Sequence, residues 1–137
     1  MPYSMTDDEL DEKLKSLFHL HQGKDNAIKR WDLVLAAFGA GSDLPRTDAN
    51  PCDRRVRDSV ERLRRVHGML ILNLNDGRGR YLCASEAEYH EFRGTYLKQV
   101  QSIAAVLRVM DKQAVRVYPN ILQPSLFDLE SVTRIIE

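Results

Sequence analysis

The sequence predicts a mainly helical α+β protein with one small β-hairpin. Apolar residues recur at helical spacing in several stretches, which indicates amphipathic helices. The pair Asp76–Gly77 lies between two short apolar runs, a strong hairpin signal. From Tyr89 to Met110 the apolar residues are three or four positions apart, which predicts one long helix. We therefore expect a first domain over 1–84, a long helix over 85–114 and a tail over 115–137.

The composition of the chain limits the classes of protein to which it can belong. The chain has 137 residues and 43% hydrophobic content, enough for a buried core. The longest apolar runs, such as Met69 to Leu72, are too short to span a bilayer. The N-terminal stretch is acidic and lacks the apolar core of a signal peptide, so we expect a cytoplasmic protein. With only Cys52 and Cys83 present, we expect free thiols rather than a disulfide or a metal site.

Charge is unevenly distributed although the net charge is zero. The segment from Arg46 to Arg80 has nine arginines against five acidic residues, a local balance of +4. The rest of the chain must therefore carry −4. A basic segment on one face of a domain favours binding to polyanions.

The first two helices have recognisable starts and apolar stripes. Thr6 and Glu9 form a capping box at the start of the first helix, whose stripe contains Leu10, Leu14, Leu17 and Phe18. The second helix is expected from about Ala27 to Phe38 and to end at Gly39. Its predicted stripe consists of Ile28, Trp31, Leu35 and Phe38.

The third helix has the clearest local signals. Asn50 is a good N-cap, Pro51 suits the first helical position, and Asp53 suits the positive end of the helix dipole. Gly68 is a natural stop after the helix. The predicted buried face contains Val56, Val60, Leu63 and either Val66 or His67. The opposite face consists of Arg54, Asp58, Glu61 and Arg65.

The hairpin is expected to pair residues 69–74 with residues 80–84, and a long helix follows it. Ser85 and Glu88 form a capping box for that helix. Nearly thirty helical residues would span roughly 45 Å, more than a small domain needs for its own core. The helix is therefore either a dimerisation arm or a helix packed along its own domain. The dimerisation interpretation uses Tyr96, Val100, Ile103, Leu107 and Met110.

The order helix, helix, basic helix, hairpin, long helix resembles the winged helix-turn-helix superfamily over about residues 6–84. This resemblance implies binding to double-stranded DNA, with the third helix in the major groove and the hairpin against the backbone or minor groove. It also implies that a dimeric regulator would read two half-sites about one helical turn apart. The predicted nucleic-acid-binding residues are Lys24, Lys29, Arg30, Arg54, Arg55, Arg57, Arg64, Arg78 and Arg80.

A solvated helix face is the alternative explanation of the arginine-rich helix. Asp53, Asp58 and Glu61 lie three or four positions from arginines and can pair with them on the helix surface. On that interpretation the arginines face solvent and do not bind DNA. A further possibility is that the domain is purely a protein-interaction module.

The tail contains the sequence QPSLF, at residues 123–127. It resembles the clamp-binding pentapeptide of bacterial replication and repair proteins, usually Gln-Leu-Ser/Asp-Leu-Phe. The residues that match are Gln123, Ser125, Leu126 and Phe127, whereas Pro124 departs from the pattern. The resemblance implies that an extended tail binds a sliding clamp. Alternatively, Leu126, Leu129, Val132, Ile135 and Ile136 form one face of a short helix that docks on the core or on a second subunit.

A small domain of this kind with a long helix and a clamp-type tail is similar to certain proteins of phages and prophages. No catalytic group of residues is apparent: His19 and His21 diverge on a helix and have no third ligand at metal spacing. We expect His67 to be a core or C-cap histidine and His90 to lie on the surface. We therefore expect a non-enzymatic protein without cofactor or metal. It would act as a transcriptional regulator or a DNA-replication-associated factor, or else as an adaptor that binds the sliding clamp.

Overall fold

A computed structural model describes residues 5–39, 45–74, 77 and 79–120. It is mostly helical with one small antiparallel sheet, which confirms the α+β class. The elements are α1 (Asp7–His19), a 3-10 turn (Lys24–Asn26), α2 (Arg30–Phe38), α3 (Pro51–Arg65), β1 (Ile71–Asn73), β2 (Arg80–Leu82) and α4 (Glu86–Val117). The chain divides into two compact units, Met1–His90 and Glu91–Glu137, and this division falls inside α4.

Helix α1 starts where its capping residues predict. The Thr6 hydroxyl accepts a hydrogen bond from the Glu9 backbone N–H at 3.1 Å, which satisfies one of the free donors of the first turn. Its apolar stripe is buried, because Leu10, Leu14 and Phe18 fall one helical turn apart and face the core.

Helix α2 begins at Arg30, three residues later than predicted, because Ile28 is used in the sheet. The Ile28 N–H donates to the Arg80 carbonyl at 2.8 Å, and the Arg80 N–H donates to the Ile28 carbonyl at 3.0 Å. This exchange places Ile28 in an antiparallel bridge beside the hairpin formed by β1 and β2. A residue paired in this way has extended geometry and cannot belong to the helix.

The predicted apolar stripe of α2 is also partly wrong. Leu35 is 48% exposed, whereas the buried residues are Leu33, Val34, Ala37 and Phe38. Apart from Asp32, every position from Trp31 to Phe38 is apolar. Periodicity therefore gave little discrimination between the faces of this helix.

Gly79 allows the close approach between the hairpin and Ile28. A Cβ atom at this buried position would lie 2.5 Å from the Ile28 carbonyl oxygen, closer than any ordinary contact. The missing side chain lets the two backbones pair.

Helix α3 begins where predicted, but its buried face ends before Val66. The Asn50 side chain accepts from the N–H groups of Cys52 at 2.9 Å and Asp53 at 3.1 Å. The helix ends at Arg65, and Val66 is 75% exposed at the C-cap. His67 is exposed as well, so the predicted extension of the buried face to these residues is wrong. The reason is Gly68, whose φ of 66° turns the chain away from the helix.

The hairpin strands are shorter than predicted. Their register pairs Ile71 with Leu82, Leu72 with Tyr81, and Asn73 with Arg80. Ile71 joins the apolar core formed by α1, α2 and α3, so the hairpin is anchored on one face of the three helices. Of the turn, Gly77 is described and has a φ of 73°.

Helix α4 has 32 residues and extends three residues beyond its predicted end. At its start the Ser85 hydroxyl accepts from the Glu88 N–H at 3.2 Å. The Glu88 carboxylate accepts from the N–H groups of Ala84 and Lys24, each at 2.8 Å, which lowers the pKa of Glu88 and ties the helix start to the 3-10 turn. Among the described residues of α4, Ala104 alone is buried. No helix in the described part of the chain combines the length and apolarity needed to cross a membrane.

Candidate nucleic-acid interface

The outer face of α3 is exposed, as its helical period predicts. Arg54, Asp58, Glu61 and Arg65 all face solvent. The Arg65 Nε lies 3.3 Å from Glu61 Oε2, whereas the Arg54 guanidinium makes no hydrogen bond or ion pair with any described residue. With two acidic and two basic residues, this stripe has no net charge. Arg54, in the first turn, is the free cation on it.

Arg57 and Arg64 lie on one flank of α3, and Arg64 contacts the hairpin. Arg57 Nη2 donates to the Asp48 carbonyl at 3.0 Å, and Arg57 Nε donates to Asp53 at 2.9 Å. About two turns further on, Arg64 donates to the Ile71 carbonyl and to Asn73 Oδ1, both at 2.9 Å. These bonds fix Arg64 beside β1 and Arg57 beside Asp53, because planar guanidinium groups donate in fixed directions.

Asp53 is a buried acid that contacts both Arg57 of α3 and Arg30 of α2. Its carboxylate is only 1% exposed and receives a two-pronged contact from Arg30, with Nε at 2.9 Å and Nη2 at 2.7 Å. Burial tends to raise the pKa of Asp53, but the hydrogen bond from Arg30 and the charges of Arg30 and Arg57 outweigh it, so the pKa is below its ordinary value. The same bonds, together with those to Asp48, raise the pKa of Arg30.

Arg80 enters the same region from β2. Its side chain is half-buried, and its guanidinium has no hydrogen bond or ion pair within the described part of the chain. Burial lowers the pKa of Arg80, and the positive charges of Arg64, Arg30 and Arg57 lower it further, while Asp53 acts in the opposite direction. We call Arg30, Arg57, Arg64 and Arg80 the arginine cluster. An arginine keeps its charge at neutral pH even in such surroundings.

A basic cleft of about 460 Å³ adjoins the cluster at the start of α2. The Arg30 guanidinium lies over the Trp31 ring, 4.6 Å from its centroid, a cation–π contact. Lys29 and Arg46 make no ion pair with described residues. The cleft is lined by Lys29, Arg30, Trp31, Asp32, Arg46 and Gly77. Among these described lining residues, three are cationic and one is acidic.

The opposite flank of α3 has a structural role. Arg55 Nη2 donates to the Met5 carbonyl at 2.6 Å and to Asp7 at 3.1 Å, which holds the start of α1 against α3. Arg62 donates to buried Asp11 through Nε at 3.0 Å and Nη2 at 2.8 Å. Arg55, which sequence reasoning grouped with the DNA-contacting arginines, therefore lies away from the arginine cluster and is already occupied.

Asp11 is a buried acid that was not predicted from the sequence, and Asp53, expected to pair with arginines of its own helix, also binds Arg30 of α2. The Ser59 hydroxyl donates to Asp11 at 2.5 Å, in addition to the contacts from Arg62. Burial tends to raise the pKa of Asp11, but these hydrogen bonds lower it below its ordinary value. The sequence contained one signal: Asp11 is the residue after Leu10, next to the buried stripe of α1. A carboxylate that is buried there requires hydrogen-bond partners.

The remaining predicted residues divide into three groups. Lys24 is in the exposed 3-10 turn and Lys29 lines the basic cleft, so both are on the surface of the first unit. The predicted dimerisation residues Tyr96, Val100, Ile103, Leu107 and Met110 are all exposed on α4. Arg78 and the clamp-type residues Gln123, Ser125, Leu126 and Phe127 lie outside the described residues, so those assignments stay predictions.

Both cysteines are free thiols, as predicted. Across residues 5–39, 45–74, 77 and 79–120, no group of three or more His, Cys, Asp or Glu side chains is placed to hold a metal ion. No protein-family model, curated protein or solved structure matches this chain.

Proposed function

We propose that this protein binds double-stranded DNA as a winged helix-turn-helix domain, in a regulatory or replication-associated role. The observation that carries the proposal is the arginine cluster, four guanidinium groups from α2, α3 and β2 of which two share one buried acid. The order of elements supports it, because α3 follows two packed helices and precedes the hairpin. The bridge at Ile28 adds a third extended segment to the sheet, as a wing requires.

In this proposal the two surfaces have different tasks. Arg54 projects from the first turn of α3, where a helix lying in the major groove brings its N-terminal residues to the base edges and to the phosphates beside them. The arginine cluster and the basic cleft lie beside it and would neutralise phosphates. Because the outer stripe of α3 has no net charge, most of the binding free energy would come from the backbone contacts. Binding to DNA requires no catalytic residue, since hydrogen-bond donors and positive charge are sufficient for it.

Substitution of Arg54 tests the proposal with little effect on folding, because this side chain has no partner among the described residues. Arg54→Ala should weaken binding to a random duplex several-fold and reduce the slope of log K against log salt by about 1. Fluorescence anisotropy at several salt concentrations measures both quantities. The matched control is Arg93→Ala, which removes the same charge from an exposed position on α4. Equal losses in the two variants, or none in either, would contradict the assignment of Arg54.

We also propose that α4 pairs with α4 of a second copy. Tyr96, Val100, Ile103, Leu107, Met110, Ala114 and Val117 alternate in spacing between four and three residues. This is the repeat of a coiled-coil seam, in which two helices bury apolar positions against each other. Six of these residues are large and more than a third exposed on the single chain, including Ile103 at 62%. A dimer would present two copies of α3 to the duplex.

A further inference from the structure

Arg80 differs from the other members of the arginine cluster because its charge is not compensated. Arg30 contacts Asp53 and Asp48, and Arg57 contacts Asp53. Arg64 contacts Glu61 at 3.2 Å in addition to its bonds to the hairpin. The half-buried Arg80 guanidinium has no such partner within the described residues, while three other guanidinium groups lie near enough to lower its pKa.

The backbone keeps Arg80 in this unfavourable position. Its N–H and carbonyl are both bonded to Ile28, and its neighbour across the hairpin, Asn73, accepts a hydrogen bond from Arg64. The sheet therefore fixes the backbone of Arg80 beside Asn73 and Arg64. A partly desolvated cation beside like charges costs free energy in the folded protein, and an apolar or neutral side chain would avoid that cost. An anion bound beside Arg80 would remove it as well.

We infer that the arginine cluster is a preformed site for a phosphate group, and that Arg80 supplies its uncommitted donor. A phosphate group matches the cluster, because its oxygens accept two parallel N–H bonds from one guanidinium and its negative charge offsets the charge of Arg80. The group can come from a DNA backbone or from free inorganic phosphate. This inference rests on the proposed function only for the DNA source.

Free phosphate provides the first test. Trp31 is the single tryptophan of the chain and lies under Arg30, so its fluorescence reports on the cluster. Replacing chloride by inorganic phosphate at constant ionic strength should change this fluorescence with a saturable curve and should raise the melting temperature. Arg80→Gln should weaken the phosphate affinity at least about tenfold, whereas the control Arg93→Gln should not change it. Arg80→Lys should keep part of the affinity, because the positive charge remains.

Duplex DNA provides the second test, again at constant ionic strength. Phosphate should displace DNA from the wild-type protein more strongly than chloride does, and Arg80→Gln should lose both DNA affinity and this difference. If phosphate acts equally on wild type and Arg80→Gln in both tests, the site is wrong, even if DNA still binds. A phosphate effect that depends on Arg80, without any DNA binding, would support the site and overturn the proposed function instead.

Discussion

At the scale of single residues, two buried carboxylates organise the first unit. Asp53 joins Arg30 of α2 to Arg57 of α3, and Asp11 joins α1 to Arg62 of α3. Each acid is nearly inaccessible and each receives several charge-assisted hydrogen bonds. The arginine-rich character of α3 is thus partly structural: Arg55 and Arg62 hold α1, while Arg57 and Arg64 form the edge of the candidate site.

Acid should destabilise the fold through these carboxylates. Their pKa values are lowered in the folded protein from an ordinary value of 3.8, so the stabilisation is complete above pH 3.8 and is lost as the pH falls toward the folded-state values. Urea unfolding at a series of pH values should therefore show a decline below about pH 4.

Asp53→Asn is the matched variant for this pH series. At pH 7 it should lower the free energy of unfolding by about 2–3 kcal/mol, because two charge-assisted contacts are lost while both arginines keep some exposure to water. Its stability should then decline less steeply than that of the wild type below pH 4. Parallel curves for the two proteins would show that Asp53 contributes little through its charge.

At the scale of elements, the starts of α1, α3 and α4 and the hairpin were predictable, whereas the start of α2 and the Ile28 bridge were not. Thr6, Asn50 and Ser85 act within three residues of the N–H groups they cap, so adjacent sequence contains the whole signal. The bridge of Ile28 to Arg80 depends on a contact between residues far apart in the chain. Local periodicity assigned Ile28 to α2, and only the fold reveals its extended geometry.

The candidate site shows the same division between local and distant information. The exposed face of α3, including Arg54, follows from helical spacing alone. The contact of Arg30 with Asp53 joins α2 to α3, and Arg80 pairs across the hairpin with Asn73. No spacing rule relates these residues. The basic residue types were predictable, but their spacing could not separate Arg80, which has no partner among the described residues, from Arg55, which is bound to Asp7.

Gly79→Ala tests the close approach at the Ile28 bridge. The new Cβ would lie 2.5 Å from a backbone oxygen, so the strands must separate, and we expect a loss of about 1–3 kcal/mol in the free energy of unfolding. Gly94→Ala is the control, because nothing lies within 4 Å of its Cβ position and alanine favours a helix by about 1 kcal/mol. A neutral Gly79→Ala in urea unfolding would contradict the tight pairing.

At the scale of the whole molecule, α4 belongs to both units and carries an exposed apolar seam. Such a seam is costly for a single chain and is typical of a helix that pairs. If two copies join through α4, both proposed DNA-binding surfaces can attach to one duplex at the same time. The overall affinity for DNA would then exceed that of one surface of modest charge.

Disruption of the seam tests the dimer. Ile103→Asp with Leu107→Asp should convert a dimer into a monomer, because two charges would be buried between the helices. Gln101→Asp with Ala105→Asp adds the same charge to exposed positions off the seam and should leave the dimer intact. Sedimentation equilibrium distinguishes these states. A wild-type monomer, or a dimer that persists in the seam variant, would contradict pairing through α4.

The central claim is that the positive charge gathered beside α3 serves to bind a DNA backbone. The most direct measurement is the affinity of the unmodified protein for random duplex DNA over a range of salt concentrations. If the proposal is right, the protein binds DNA at low salt, and log K falls linearly with log salt, with a slope of about −0.9 for each phosphate contact. No binding at low salt, or an affinity that does not change with salt, would contradict it.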